Sequence, residues 1–146
     1  MTTIKKMAYS GATAEHLQHY IDIALQDHPK IVIIHGGTND VYGRNRNNKT
    51  AEEVVQDLIK SANKCRDHGV THVFVSSLLP IFHTQAHNKV KEINVLLKSY
   101  CEHYNFGYID NDFLTIMDLK EGDPVHLSWD GRCKLVNNYI HNLKKY

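Results

Sequence analysis

The sequence has almost no excess of charge of either sign. Its 17 Lys and Arg residues oppose 16 Asp and Glu residues, which leaves a net charge of +1. Basic residues adjoin one another only in short groups such as Lys5-Lys6 and Lys144-Lys145, so the basic footprint of a nucleic-acid-binding protein is missing and we expect no nucleic-acid partner. No apolar run approaches the roughly 18 to 20 residues that span a bilayer, and the N-terminus shows no apolar signal segment. These absences predict a cytoplasmic protein with no membrane partner.

Cysteine is scarce, and its spacing fits neither a disulfide framework nor a cysteine-based zinc site. Cys65, Cys101 and Cys133 are odd in number and widely separated, and no CxxC motif occurs. The histidine pairs His16/His19 and His83/His87 have spacings that place both rings on one helix face, but no third ligand accompanies either pair. We therefore expect solvated helix faces there, and no metal or other cofactor.

Strand-length apolar runs alternate with segments of helical period, which predicts an α/β fold. At 146 residues the chain is expected to form a single domain, residues 1–146. Four strands are predicted, at Thr3–Tyr9, Lys30–His35, Thr71–Ser76 and Phe106–Ile109. Four helices are predicted as well: one after a Thr13 cap, one from the capping box at Thr50 to about His68, one from Thr84 to about His103, and one from Ser128 onwards.

Two of these predictions concern burial. The continuous Ile31–Ile34 run is typical of a strand covered by helices on both faces, so we expect Lys30–His35 to be central in the sheet. The last helix should bury an apolar stripe made of Leu135, Val136, Tyr139, Ile140 and Leu143.

Polar motifs follow the predicted strands, at the edge where open parallel sheets form their sites. Asn39, in the Gly37–Asp40 segment, offers a side-chain amide, and Gly11 offers a flexible backbone amide, so the two can donate to an oxyanion. His126 can act as a general base, with Asp123 accepting from its second ring nitrogen. Each residue alone also fits a turn or a partly buried polar side chain; their combination favours a catalytic site.

Three segments carry a resemblance to a known family. Ser10–Thr13 (SGAT), His35–Asp40 (HGGTND) and Asp123–Ser128 (DPVHLS), followed by Gly131, resemble the second, third and fifth sequence blocks of the SGNH (GDSL-type) hydrolases. Order and spacing agree over nearly the whole chain. The motifs are most similar to the short esterase-like domains of animal genomes, some of them encoded by retrotransposons.

The resemblance implies a three-layer α/β/α, flavodoxin-like sandwich with a mainly parallel sheet. It also implies hydrolysis of a small acyl ester through a serine acyl-enzyme, without a metal. By this resemblance Gly11 and Asn39 match oxyanion donors, His126 matches the base, and Asp123 matches its orienting acid.

One block of the family pattern is not found. Family members begin with a strand ending in Gly-Asp-Ser, whose serine is the nucleophile, and no Gly-Asp-Ser occurs in this sequence. Ser10 is an alternative nucleophile only if a strand shifts, and Ser76 and Ser77 are expected to line or cap the sheet edge. The domain is thus expected to be N-terminally truncated relative to the family, with unpaired sheet edges that favour self-association.

Three explanations stay open for this truncation: a fragment or mis-started frame of an active esterase, an inactive relative whose first strand moves inward, or a gap filled by a second copy or partner. Two functions stay open with them. The chain is either an acyl-ester hydrolase that is inactive as given because its serine is missing, or a pseudo-hydrolase that binds a ligand or a protein.

Overall fold

The fold is an alternation of helices and parallel strands, seen in a computed structural model that describes residues 4–144 and 146. No helix within those residues is both long enough and apolar enough to span a membrane. The elements in chain order are α1 (Ala14–Leu25), β1 (Ile31–Ile34), α2 (Thr38–Val41), α3 (Ala51–Asp67), β2 (His72–Ser76), α4 (Thr84–Tyr104), β3 (Gly107–Ile109), a 3₁₀ turn (Ile116–Asp118) and α5 (Trp129–Leu143).

The three strands form one parallel sheet in the order β1-β2-β3. Side chains alternate between the two faces of a strand, so Val73 and Val75 of β2 point to one face, where they join the main hydrophobic core with α1, α3 and α4. Phe74 and Ser76 point to the other face, where Ser76 bonds with Tyr139 of α5. The sheet thus lies between two helical layers, and the predicted α/β/α architecture is confirmed.

The predicted helix starts at Thr13 and Thr50 are confirmed. The Thr50 hydroxyl accepts from the Glu53 amide at 3.1 Å, and the Glu53 carboxylate accepts from the Thr50 amide at 3.0 Å. Thr13 forms the same reciprocal arrangement with His16, whose ring nitrogen accepts from the Thr13 amide. Each cap satisfies amides that a helix leaves without partners at its N-terminus, and one histidine of the His16/His19 pair is therefore a structural capping residue.

The prediction of a first strand at Thr3–Tyr9 is wrong for the part that the structure describes, and Thr3 lies outside the described residues. Residues 4–9 form no strand. Tyr9 stacks on Tyr20 with ring centroids 3.8 Å apart, and the Lys5 ammonium pairs with Asp27 at 2.7 Å. These contacts hold the segment along α1 instead of in the sheet.

The predicted central position of Lys30–His35 is also wrong within the described sheet. β1 pairs with β2 and with no other described strand, so it lies at the edge. Ile31–Ile33 are only half-buried, and Ile34 alone is buried. The apolar run correctly indicated a strand, but an apolar run cannot reveal which neighbour covers it.

The last helix is less covered than its sequence pattern predicted. Val136 is 53% exposed and Ile140 is 45% exposed, and Gly131 is the only buried residue of α5. The predicted stripe is therefore only partly buried, because no other described element packs over Val136 and Ile140.

Candidate functional site

Asp123 and His126 form a hydrogen-bonded pair in the loop before α5. The Nδ1 atom of His126 lies 2.8 Å from Oδ2 of Asp123, while Oδ1 of Asp123 accepts from the backbone amides of Val125 at 2.9 Å and His126 at 3.0 Å. The His126 side chain is 72% exposed. Because the carboxylate can only accept at Nδ1, that nitrogen carries the hydrogen, and in the neutral ring the lone pair lies on Nε2. The pair therefore presents a basic nitrogen to solvent.

The same contacts explain the acidity of Asp123. Three hydrogen-bond donors lower the pKa of Asp123 from 3.8 to about 2. In decreasing order of effect they are the His126 amide, the Val125 amide and the His126 ring. Donors aimed at a carboxylate stabilise its charged form. The acid therefore stays ionised across the range in which a histidine titrates.

This lowered pKa predicts how folding stability depends on pH. A carboxyl group whose pKa is lower in the folded state stabilises the fold above pH 3.8, and this contribution is lost as the pH falls towards 2. We expect Asp123→Asn to be less stable than the wild type at pH 5, with the difference shrinking between pH 4 and pH 2. Urea unfolding of both proteins across that range measures it, and a difference that does not change with pH would contradict the assignment.

The second half of the site lies at the turn before α1 and at the end of β1. Gly11 has a φ of +74°, in the left-handed region that favours glycine. Nδ2 of Asn39 donates to the carbonyl of Ala12 at 2.9 Å, which fixes the amide beside this turn. Nδ2 has a second hydrogen, which can serve an incoming oxygen atom.

Residues that the sequence interpretation did not assign hold this turn in place. The buried carboxylate of Asp40 accepts from the Ala14 amide at 2.8 Å and from Nδ2 of Asn47 at 2.7 Å. Nδ2 of Asn45 donates to the carbonyl of Gly11 at 2.7 Å. The sequence contains a signal for Asp40, which stands in the same motif as Asn39. It contains no signal for Asn45 and Asn47, because they belong to a uniformly polar loop.

The loop that follows β2 contacts the Asp123–His126 loop and lies near the end of α2, the short helix that contains Asn39. The Phe82 amide donates to the carbonyl of Pro124 at 3.0 Å, and the His83 ring lies 5.6 Å from the Tyr42 ring. Among the described residues no hydrogen bond joins Gly11 or Asn39 to His126.

None of the serines Ser10, Ser76 and Ser77 is hydrogen-bonded to His126. Ser10 is exposed in the turn before Gly11. Ser76 is fully buried, and its Oγ lies within 3.0 Å of His35 Nδ1, Tyr139 Oη and Asn111 Nδ2. Ser77 is buried as well, and its hydroxyl accepts from the Asn111 amide. The two buried serines cap the sheet edge, as predicted.

The described residues contain no group of three or more His, Cys, Asp and Glu side chains arranged to hold a metal ion. In the His83/His87 pair, Nδ1 of His87 lies 3.1 Å from the carbonyl of Ile81, and the His83 ring packs near Tyr42. Both rings thus take part in local packing.

Comparison with known proteins gives the family. The sequence profile described as the GDSL-like lipase/acylhydrolase family matches residues 2–141. A search of curated protein sequences found no match.

Solved structures have the same fold. A GDSL-like lipase of Bacteroides thetaiotaomicron superposes with a TM-score of 0.81 at 17% identity, over 93% of this chain and 73% of that one. A putative acylhydrolase of Bacteroides fragilis gives a TM-score of 0.82 at 18% identity, over 92% and 71%. An acetylxylan esterase of Geobacillus stearothermophilus gives 0.75 at 19% identity, over 92% and 69%. With its profile match over nearly the whole length, this chain belongs to the GDSL-like lipase/acylhydrolase family.

Proposed function

We propose that this chain carries the base and the oxyanion donors of an acyl-ester hydrolase, and that it is inactive as given because it has no nucleophilic serine. The observation that carries the proposal is the Asp123–His126 pair, with 2.8 Å between Oδ2 and Nδ1 and an exposed ring. The motif resemblance further favours the esterase-like type of animal genomes within the family. We propose a small-molecule acyl ester as substrate and a single, N-terminally truncated domain.

In this proposal, residues of this chain serve every role in the reaction except that of the nucleophile. A serine oxygen attacks the ester carbonyl while Nε2 of His126 takes its proton, and Asp123 stabilises the imidazolium that forms. Nδ2 of Asn39 and the Gly11 amide donate to the oxyanion. His126 then gives the proton to the departing alcohol, and water repeats the sequence to release the carboxylic acid and the serine.

The free edge of β1 offers a place for the strand that would carry this serine. Main-chain groups on that side of Ile31–Ile34 pair with no described strand, and Ile31–Ile33 are only half-buried. A strand added there parallel to β1 would end beside Gly37 and Asn39, at the same sheet edge as Gly11. The same edge can instead pair with a second copy of the chain, because an unpaired strand is a template for association.

A pseudo-hydrolase is the second candidate. It is favoured by one observation: within the described part of the chain, no serine is hydrogen-bonded to His126 even though the histidine is oriented by Asp123. Such a protein would use the site residues to bind a ligand or a partner and would form no acyl-enzyme.

One pair of measurements separates the two candidates. The chain as given should neither hydrolyse p-nitrophenyl acetate nor be labelled by a fluorophosphonate. The coding sequence immediately upstream of Met1 should encode a strand ending in Gly-Asp-Ser, and the protein expressed with that segment should be labelled at its serine and hydrolyse the ester. Labelling of the given chain at Ser10 would identify Ser10 as the nucleophile. Upstream codons without a Gly-Asp-Ser strand would support the pseudo-hydrolase.

A further inference from the structure

We propose that Arg44 makes this site select esters that carry a negatively charged group close to the ester carbonyl. The proposal rests on the proposed function, because it names the substrate class of that same site. It is carried by the position of the Arg44 guanidinium beside Gly11.

The loop that holds Arg44 is fixed to the Gly11 turn. Asn45, the next residue, donates from Nδ2 to the carbonyl of Gly11 at 2.7 Å. On the other side of Arg44, the carbonyl of Gly43 accepts from the Arg46 amide at 3.3 Å and from Nη1 of Arg46 at 3.1 Å. The backbone of Arg44 is therefore held between two anchored neighbours.

The guanidinium of Arg44 lies next to the candidate oxyanion donor. Nη2 of Arg44 lies 3.9 Å from the position that a Cβ atom on Gly11 would occupy, and Nδ2 of Asn45 lies 3.1 Å from it. Apart from the two chain neighbours of Gly11, no other side chain among the described residues comes within 4 Å of that position. The guanidinium thus lies beside the same residue whose backbone amide is the candidate oxyanion donor.

The loop contains three cationic side chains, and Arg44 is the one that has no partner among the described residues. Residues 41–51 contain three cationic side chains and no carboxylate. Lys49 forms ion pairs with Glu15 at 2.8 Å and Asp57 at 2.6 Å, and Arg46 donates to Gly43. Arg44 is exposed and forms neither an ion pair nor a hydrogen bond with the described chain.

A guanidinium in this setting matches a carboxylate or a phosphate, since its planar donors bind such groups in a bidentate way. The anion can belong to the acyl part of the ester, as in a half-ester of a dicarboxylic acid, or to the alcohol part, as in an acylated glycerol phosphate. An anion on the acyl part and an anion on the alcohol part present the same chemistry to Arg44. The experiment below distinguishes these two positions.

The test is a titration of the ¹⁵N-labelled chain as given, followed at the Gly11 amide and the Asn39 side-chain amide by NMR at constant ionic strength. Monomethyl succinate is compared with dimethyl succinate for the acyl side, and 1-acetylglycerol 3-phosphate with 1-acetylglycerol for the alcohol side. We expect at least one charged ester to bind about three- to tenfold more tightly than its neutral counterpart. The pair that shows the preference identifies the side of the ester that carries the anion.

Arg44→Gln should remove this preference and leave the binding of the neutral esters unchanged. Lys98→Gln, an exposed residue of α4, removes the same charge elsewhere and should keep the preference. Equal affinities for charged and neutral esters, a preference that survives in Arg44→Gln, or no shift at Gly11 with any ester would each overturn the proposal. The hydrolase proposal fails by a different measurement: the protein that includes a Gly-Asp-Ser strand would not hydrolyse the ester.

Discussion

Replacing His126 by Ala in the protein completed with a Gly-Asp-Ser strand should lower kcat for p-nitrophenyl acetate by about 10³-fold or more. The serine would lose the group that accepts its proton, and the departing alcohol would lose its proton donor. Asp123→Asn should also lower kcat, by acting through the ring, because the carboxylate 2.8 Å from Nδ1 sets the tautomer. Initial rates under saturating ester measure both variants.

The matched control is His103→Ala, since His103 is an exposed histidine in the last turn of α4. It should leave kcat within about twofold, as expected for a residue outside the site. A His126→Ala protein that keeps its rate would remove His126 from the role of base. Loss of folding is checked by circular dichroism, and it is not expected because the His126 side chain is largely exposed.

Gly131→Ala should lower the free energy of unfolding by about 1 to 3 kcal/mol, the usual cost of forcing an extra methyl group into a packed site. A Cβ atom at Gly131 would lie 2.2 Å from the carbonyl oxygen of Asp118. That oxygen belongs to the backbone and cannot rotate away. It also accepts from the Ser128 amide at 2.8 Å and from the Ser128 hydroxyl at 3.0 Å, so the start of α5 would have to move.

Urea unfolding of Gly131→Ala and Asn137→Ala tests this prediction. Asn137 is exposed on the same helix, and its replacement by alanine should change stability by less than about 0.5 kcal/mol. Equal stabilities of the two variants would show that α5 shifts without cost. Because His126 precedes this helix by three residues, we also expect its ring resonances to move in Gly131→Ala.

The glycine of the His-Leu-Ser-x-x-Gly motif thus has a structural explanation. The motif identified Gly131 by resemblance alone, and only the fold shows that Asp118, which precedes it by 13 positions, leaves no room for a side chain there. Close contacts between segments remote in sequence have no local signal.

Local patterns were read correctly where the interaction is local. The helix starts at Thr13 and Thr50 depend on residues three positions away, and the contact between Asp123 and His126 has the same spacing. Such contacts form within one turn of chain, so the residue types and their spacing are enough to predict them. The catalytic roles of Asp123, His126, Asn39 and Gly11 stay predictions.

Predictions about partners between elements were less successful. The apolar run Ile31–Ile34 correctly indicated a strand but not its edge position, and the stripe on α5 correctly indicated a helix face but not its exposure. Apolar periodicity shows which side of an element avoids water. It contains no information about whether another element is present to cover that side.

The helices, the strands β1, β2 and β3, the helix caps and the Asp123–His126 pair are encoded locally, because each depends on neighbours within a few residues. The edge position of β1, and the contacts by which Asp40 and Asn45 hold the Gly11 turn, arise from packing between elements. The position of Arg44 beside Gly11 arises in the same way. These contacts join residues about 30 positions apart, and they arise from how the elements pack, which no local pattern encodes.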